Sequence, residues 1–338
     1  MNNSSGLSVI ILAAGKGTRM KSDKAKVLHE VFFAPMVHHV VRAVLPLAPA
    51  TVVAVVGHQR EEVQAALAQT PCRFAVQEEQ LGTGHAVLSA EPSLADIDGT
   101  VMILCGDTPL IESATLAKMY DLHRRQGATL TLMTTMLDDP TNYGRILCTP
   151  QGQVQGIVEQ KDASAEQQAI KEINAGIYCV EKAFLFSALR GVGRNNSQNE
   201  VYLTDIVAQA VASGERVEKF QVSDAVEVLG VNSRVELSQA HRQLQQRHNR
   251  RLMLDGVTMY NPESVTISPE SAIGKDVILE NFVRISGKSR VGDRAIIGQG
   301  AVLHQCTVAA DAVIGPCCCL SDIEIPAGHI VPPLCNSL

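Results

Sequence analysis

From Val265 onward the chain repeats every six residues. Ile267, Ile273, Leu279, Ile285, Val291, Ile297 and Leu303 follow one another in unbroken register. Two positions before each stand Val265, Ser271, Val277, Val283, Ser289, Ala295 and Ala301, all small or β-branched. A hexad with one inward aliphatic cannot bury that side chain alone, so it must stack on its neighbours; this is the pattern of a parallel β-helix. After Leu303 the register slips and resumes through Val308, Ile314 and Leu320, and the proline-bearing IPAGHIVPP reads as an end cap. The span leaves room for three to four coils at three hexads per coil.

The first two thirds have a different rhythm. Apolar strand patterns at 9–12, 52–57, 74–77, 101–105, 130–133 and 177–180 alternate with helical patterns at 36–47, 61–69, 86–90 and 112–125. Strands alternating with helices predict an α/β domain on a mostly parallel sheet, with ligands beyond the carboxyl ends of the strands. Between the two regions a long, polar, glycine-free stretch predicts a connecting helix, with Val235, Leu244 and Leu252 near one face. The expected domains are therefore residues 1–232, a connecting helix over 233–256, and the β-helix over 257–338.

Bulk properties exclude several classes. Nine cysteines without CxxC spacing make neither a disulfide framework nor a zinc site. A net charge of −6 argues against a general nucleic-acid binder. The N-terminal residues carry no signal pattern, and no apolar run is long enough to span a bilayer, so a cytoplasmic protein with no membrane partner is expected. Within this acidic chain, Lys16, Arg19, Lys21, Lys24 and Lys26 cluster around a single acid, Asp23.

The cluster belongs to LAAGKGTRM (12–20), directly after the first strand pattern. It fits neither the Rossmann fingerprint nor the Walker pattern, yet Gly15 and Gly17 allow backbone amides to approach phosphate oxygens. This segment and Lys26 resemble the signature of sugar-nucleotide pyrophosphorylases. QEEQLGTGHA (77–86), CGDTPLI (105–111), DDPTNYGRI (138–146), IVEQKDA (157–163), EINAGIY (172–178), YLTDI (202–206) and GVNSR (230–234) narrow the match. Their order resembles the uridylyltransferase half of the bifunctional N-acetylglucosamine-1-phosphate uridylyltransferase/glucosamine-1-phosphate acetyltransferase family, over roughly residues 7 to 300.

The resemblance implies a Rossmann-like nucleotide-diphospho-sugar transferase domain followed by a short left-handed parallel β-helix. It implies transfer of UMP from UTP to N-acetylglucosamine 1-phosphate with Mg2+, for cell-wall and lipopolysaccharide precursors, and a homotrimer built through the β-helix. Carried to matching positions, it places nucleotide binding at Leu12, Ala13, Ala14, Gly15, Gln77, Gly82 and Thr83. Arg19, Lys26 and Asp107 become the catalytic groups, with Asp107 and Asn232 as metal ligands. Gly144, Glu159 and Asn174 become the sugar site. Gln77 suits uracil because an amide both donates and accepts. Read without the family, Asp107 is equally a helix cap and Glu159 a surface acid beside Lys161.

Three positions depart from the family pattern. Ala25 stands for a proline before the lysine, Cys105 for a tyrosine beside the sugar, and Ala175 for a threonine after Asn174. Lys26 is then expected to be held less rigidly, and the other two departures bear on sugar affinity and sugar choice. The family's acetyltransferase portion extends more than a hundred residues farther. Past Arg294 this sequence has no lysine or arginine, and His304 and His329 lack basic neighbours, so no acetyltransferase activity is expected. The competing readings are a pyrophosphorylase for another sugar 1-phosphate, such as glucose, and a non-catalytic sugar-nucleotide sensor.

Overall fold

The computed structural model describes residues 6–337. They form two compact units: residues 6–30 with 34–236, and residues 31–33 with 237–337.

Among the described residues the large sheet of the first unit holds nine strands: β1 Ser8–Leu12, β2 Thr51–Val56, β3 Cys72–Val76, β4 Thr100–Cys105, β5 Leu130–Met136, β6 Arg145–Cys148, β7 Val154–Val158, β8 Glu172–Glu181 and β9 Val217–Gln221. The main sheet runs β9-β5-β8-β4-β1-β2-β3. Strands β1 to β4 are parallel, and β9 is parallel to β5, but β8 is antiparallel to both β4 and β5. Hairpin β6–β7 branches from β8 through Ile173 and Arg145. Successive strand residues alternate between two cores: Val9 and Ile11 enter one, Ile10 the other. Helices α1 Met36–Val44, α2 Arg60–Leu67 and α4 Ser113–Gln126 cover the first face. Helices α3 Thr83–Ser89, α6 Lys182–Gly191 and α7 Asp205–Ala212 cover the second; the single turn α5 is Ala165–Gln168. A sheet covered on both faces has strands apolar at every position, which is why Thr51–Val56 reads as a continuous buried run.

The antiparallel β8 positions the site. The parallel strands end at Leu12, Val56, Val76 and Cys105, and the start of β8, carrying Asn174, arrives at the same edge because β8 runs the other way. The Cys105 Sγ lies 3.8 Å from the Gly176 carbonyl oxygen.

Helix α8, Arg234–Leu254, crosses the boundary between the units. Its buried residues are Ala240, Gln245, His248, Asn249 and Leu252, while Val235 is 68% exposed. The aliphatic face expected from Val235 and Leu244 is therefore replaced by a polar one. Gln245 Nε2 donates to the carbonyls of Glu263 (3.0 Å) and Val265 (2.6 Å), and Asn249 Nδ2 to those of Pro262 (2.7 Å) and Val265 (2.8 Å). Those side-chain amides serve carbonyls at the mouth of the first coil, which has no preceding rung to pair with.

The rest of the second unit is three stacked parallel sheets of two- and three-residue strands, the arrangement of a left-handed parallel β-helix. The inward hexad aliphatics form one core. The corner residue three positions before most of them takes a left-handed conformation, at Asp276, Phe282, Arg294, Gln305, Asp311, Cys317 and Asp322.

The slip after Leu303 is not a loss of the repeat. Ile285 pairs with Leu303, 18 residues on, whereas Val291 pairs with Val308 and Leu303 with Leu320, 17 residues on. One corner has shortened by a residue: Gly287 and Lys288 separate Ser286 from Ser289, but Gln305 alone separates His304 from Cys306. Nor is IPAGHIVPP a cap. Ile325 pairs with Val308 and Val331 with Ile314, so the segment is a further part of the coil. Two sheets hold four strands and the third holds five, slightly more than the coil count expected.

Candidate functional site

The first unit has two adjoining pockets at the carboxyl edge of its sheet. One, of about 410 Å³, is lined by Leu12, Ala13, Ala14, Gly15, Lys26, Gln77, Gly82, Thr83 and Asp107 among others. The second, of about 330 Å³, is lined by Arg19, Asp107, Gly144, Glu159, Asn174 and Asn232 among others. Leu12, Thr83, Cys105 and Asp107 belong to both. Every residue given a nucleotide, catalytic, metal or sugar role from the sequence therefore lines one of two lobes, which share Asp107.

The loop after β1 leaves a run of backbone amides free. The Ala13 N–H donates to the Val55 carbonyl, and the Ala14 carbonyl accepts from His58 N–H and from Gln80 Nε2 at 2.9 Å, which pins the start of the loop. Among the described residues, no protein group accepts the N–H groups of Gly15, Lys16, Gly17, Thr18 or Arg19. Successive free amides make an anion-binding concavity. Gly17 is needed there twice over: its φ is +62°, and a Cβ would lie 2.5 Å from the Lys26 Cβ.

Lys26 is held more firmly than its context suggests. Ala25 keeps proline's backbone region, φ −52° and ψ 134°, and its N–H, which proline would lack, donates to Gln59 Oε1. The Lys26 ammonium bonds the Asp107 carboxylate and donates to Asn232 Oδ1 at 2.9 Å. Arg19 Nη2 donates to the same Asn232 oxygen, also at 2.9 Å.

Asp107 does not cap a helix, since Glu112 occupies the N-cap of α4. Asn232 is fixed from both sides: its Nδ2 donates to the Gly230 carbonyl at 3.2 Å, and its N–H to Glu236 Oε2 at 2.6 Å, while Ser233 Oγ receives the Glu236 N–H. Asp107 and Asn232 thus aim a carboxylate and an amide oxygen at one cationic group, the Lys26 ammonium. Two hard oxygens converging on a positive charge fit a divalent ion that keeps waters and phosphates in its remaining shell.

In the first lobe Gln77 is buried. Its Nε2 donates to the Gly82 carbonyl and meets His85 Nδ1, both at 3.1 Å. The carbonyl can only accept, so the amide orientation is set and both of its hydrogens are used. Gln77 therefore offers the lobe an acceptor only, not the donor–acceptor pair expected from its residue type.

Glu159 is not a surface acid. The Thr204 hydroxyl donates to its Oε1 at 3.2 Å, and burial raises its pKa, against the partial relief of that bond. Gly144 leaves the room this side needs: a Cβ there would lie 2.9 Å from Ile157 Cγ2 and 3.6 Å from Glu159 Oε1. Burial pushes the Cys105 thiol up to about 12, so it stays neutral.

Gln80, Tyr143, Tyr178 and Thr204 also line the lobes and were not singled out from the sequence. Each lies inside a motif that was, and only the fold shows which motif residues face inward.

A family model described as nucleotidyl transferase matches residues 8–238. A protein of Desulfotalea psychrophila named bifunctional protein GlmU is 49% identical over 332 residues, 98% of this chain and 98% of that protein. Proteins of the same name from Geobacter metallireducens and Streptococcus suis are 49% and 44% identical over 303 and 315 residues; this chain spans 64% and 67% of their lengths. No helix among the described residues is long and apolar enough to cross a membrane. The chain is a nucleotidyltransferase and belongs to the nucleotidyl transferase family, among the proteins named GlmU.

Proposed function

We propose that this chain transfers the uridylyl group of UTP to N-acetylglucosamine 1-phosphate, with Mg2+ bound by Asp107 and Asn232, and releases pyrophosphate. The observation that carries the reading is the junction of the two lobes at Asp107, beside Lys26 and Arg19. The uracil lies by Gln77 and the sugar by Glu159 and Asn174, which brings the α-phosphate and the sugar phosphate to the junction.

There a sugar phosphate oxygen forms a bond to the α-phosphorus while the bond to the β-phosphate oxygen breaks. The free amides from Gly15 to Arg19 hold the departing phosphates, and Lys26 and Arg19 neutralise charge that shifts onto them. The metal ion, when bound, supplies further charge neutralisation. No protein nucleophile is needed, since the attacking oxygen is already anionic. The reading predicts pyrophosphate release that requires UTP, N-acetylglucosamine 1-phosphate and Mg2+ together; release independent of the sugar phosphate would refute it.

Gln77 sets the base. An acceptor-only face suits the N3–H of uracil and repels the N3 lone pair of cytosine. Gln77→Ala is expected to narrow the ratio of kcat/KM for UTP over CTP by about tenfold or more, as for loss of one buried polar match. An unchanged ratio would remove Gln77 from base selection.

Glu159 gives a prediction with two signs. Its raised pKa means that the folded state holds the proton more tightly than the unfolded chain does. The resulting stabilisation is full below the ordinary carboxylate range and is lost as pH rises through the raised value. Glu159→Gln should therefore raise Tm at pH 7 more than at pH 4. It should also raise KM for the sugar phosphate about tenfold or more, because hydrogen bonds to a charged acceptor are among the stronger ones. A lower Tm at pH 7 would contradict the assignment.

The β-helix serves assembly in this reading. Phe282, Ile330 and Leu334 are 63%, 68% and 77% exposed in the single chain, which supports a homotrimer through that region; light scattering on the full chain tests it.

A further inference from the structure

Strand β8 is interrupted where it enters the sugar lobe. Its pairing with β5 shifts between Asn174 and Tyr178, and Gly176 takes φ +72° at the bulge. The Gly176 N–H donates to Asn174 Oδ1 at 3.1 Å. A backbone N–H can only donate, so the Asn174 amide has one orientation and its Nδ2 must donate in turn. It does so to the Tyr178 hydroxyl oxygen at 2.6 Å.

A tyrosine hydroxyl has a single hydrogen. Because its oxygen accepts from Asn174, that hydrogen is directed elsewhere, and no group among the described residues receives it. The ring is buried at 1% exposure yet lines the sugar lobe. Burial, reinforced by the nearby Glu159 charge, raises the phenol pKa well above its ordinary value, so the hydrogen stays in place at working pH. A buried donor without a partner penalises any ligand that brings it none.

A 2-acylamino sugar carries an N–H and a carbonyl oxygen on one planar group. Asn174 Oδ1 retains a lone pair for the first, and Tyr178 has a hydrogen for the second. A 2-hydroxy sugar offers one group for both. We propose that Tyr178 is a specificity-determining residue, whose hydroxyl donates to the carbonyl oxygen of an acylamino group on the sugar phosphate. The proposal rests on the uridylyl-transfer reading and adds to it the residue that tells the acylamino sugar from glucose.

The test is Tyr178→Phe, assayed for pyrophosphate release from UTP with N-acetylglucosamine 1-phosphate and with glucose 1-phosphate. For the acylamino sugar, kcat/KM is expected to fall about tenfold or more, mainly through KM, and for glucose 1-phosphate to change by less than about twofold. Equal losses on both sugars would assign Tyr178 a structural role only, and no loss would remove it from the site; either overturns the proposal. A measurement on the unmodified protein covers the case of a misfolded variant. The N-trifluoroacetyl analogue has a poorer carbonyl acceptor and should show a KM several-fold higher than the N-acetyl substrate; equal KM values would also overturn the proposal. If the unmodified protein released no pyrophosphate with either sugar phosphate, the failure would lie in the uridylyl-transfer reading, not in Tyr178.

Discussion

Asp107→Asn is expected to lower kcat by on the order of 10²–10³-fold or more, the scale of losing one well-placed electrostatic group, about 3–4 kcal/mol of transition-state stabilisation. The substitution keeps the side chain's size and removes the charge. That charge is what Lys26 pairs with and what a divalent ion would take as its anionic ligand. Asn232→Ala removes the second oxygen and should fall in the same direction. Both should leave the fold intact, because Asp107 lies beyond the end of β4 and Asn232 before the start of α8, outside the apolar clusters. The measurement is kcat across a Mg2+ titration beside a thermal melt. Turnover like the unmodified protein's in Asp107→Asn at saturating Mg2+ would contradict the ligand assignment.

Lys26→Ala should act on the same quantity by a different route. Its ammonium lies between Asp107 and Asn232 at the junction of the lobes, facing charge that shifts as the α–β phosphate bond breaks. A group that meets shifting charge contributes more in the transition state than in the ground state, so kcat should fall by about 10²-fold or more while KM for UTP moves less. Arg19→Ala should follow with a smaller loss, since among the described residues the Arg19 side chain bonds to Asn232 alone. A Lys26→Ala variant altered only in its KM for UTP would make Lys26 a ground-state binder.

The site was legible largely because its residues sit in short motifs after strands, and strand ends in a sheet of this kind converge. The glycines at 15 and 17 within the charged stretch from Lys16 to Lys26 pointed to an anion loop, and among the described residues no protein group accepts the N–H groups from Gly15 to Arg19. What could not be read was direction. Nothing in EINAGIY says that the strand runs antiparallel to its neighbours or carries a bulge, so the bond between Asn174 and Tyr178 was invisible. The same holds for Glu159, whose hydrogen-bond donor Thr204 lies 45 residues away, and for Gln77, whose donors are consumed by its surroundings.

In the β-helix the aliphatic register predicted the coil well, because each hexad buries its own repeat unit against the next. The prolines misled: Pro326 and Pro332 stand where Ala309 and Gly315 one coil earlier donate to the Ile325 and Val331 carbonyls, but the strands before them are the last of their sheets among the described residues, so no such bond is asked of them there. Helix α8 misled in the opposite way. Its polar sequence suggested a solvated connector, but Gln245 and Asn249 are buried because carbonyls at an open coil end need donors.

The most direct test is a competition. Equimolar N-acetylglucosamine 1-phosphate and glucose 1-phosphate are given with UTP and Mg2+, and the nucleotide sugars formed are identified by mass spectrometry. The predicted result is UDP-N-acetylglucosamine as the dominant product, accumulating with an equal amount of pyrophosphate. UDP-glucose as the main product, or pyrophosphate without a nucleotide sugar, would contradict it.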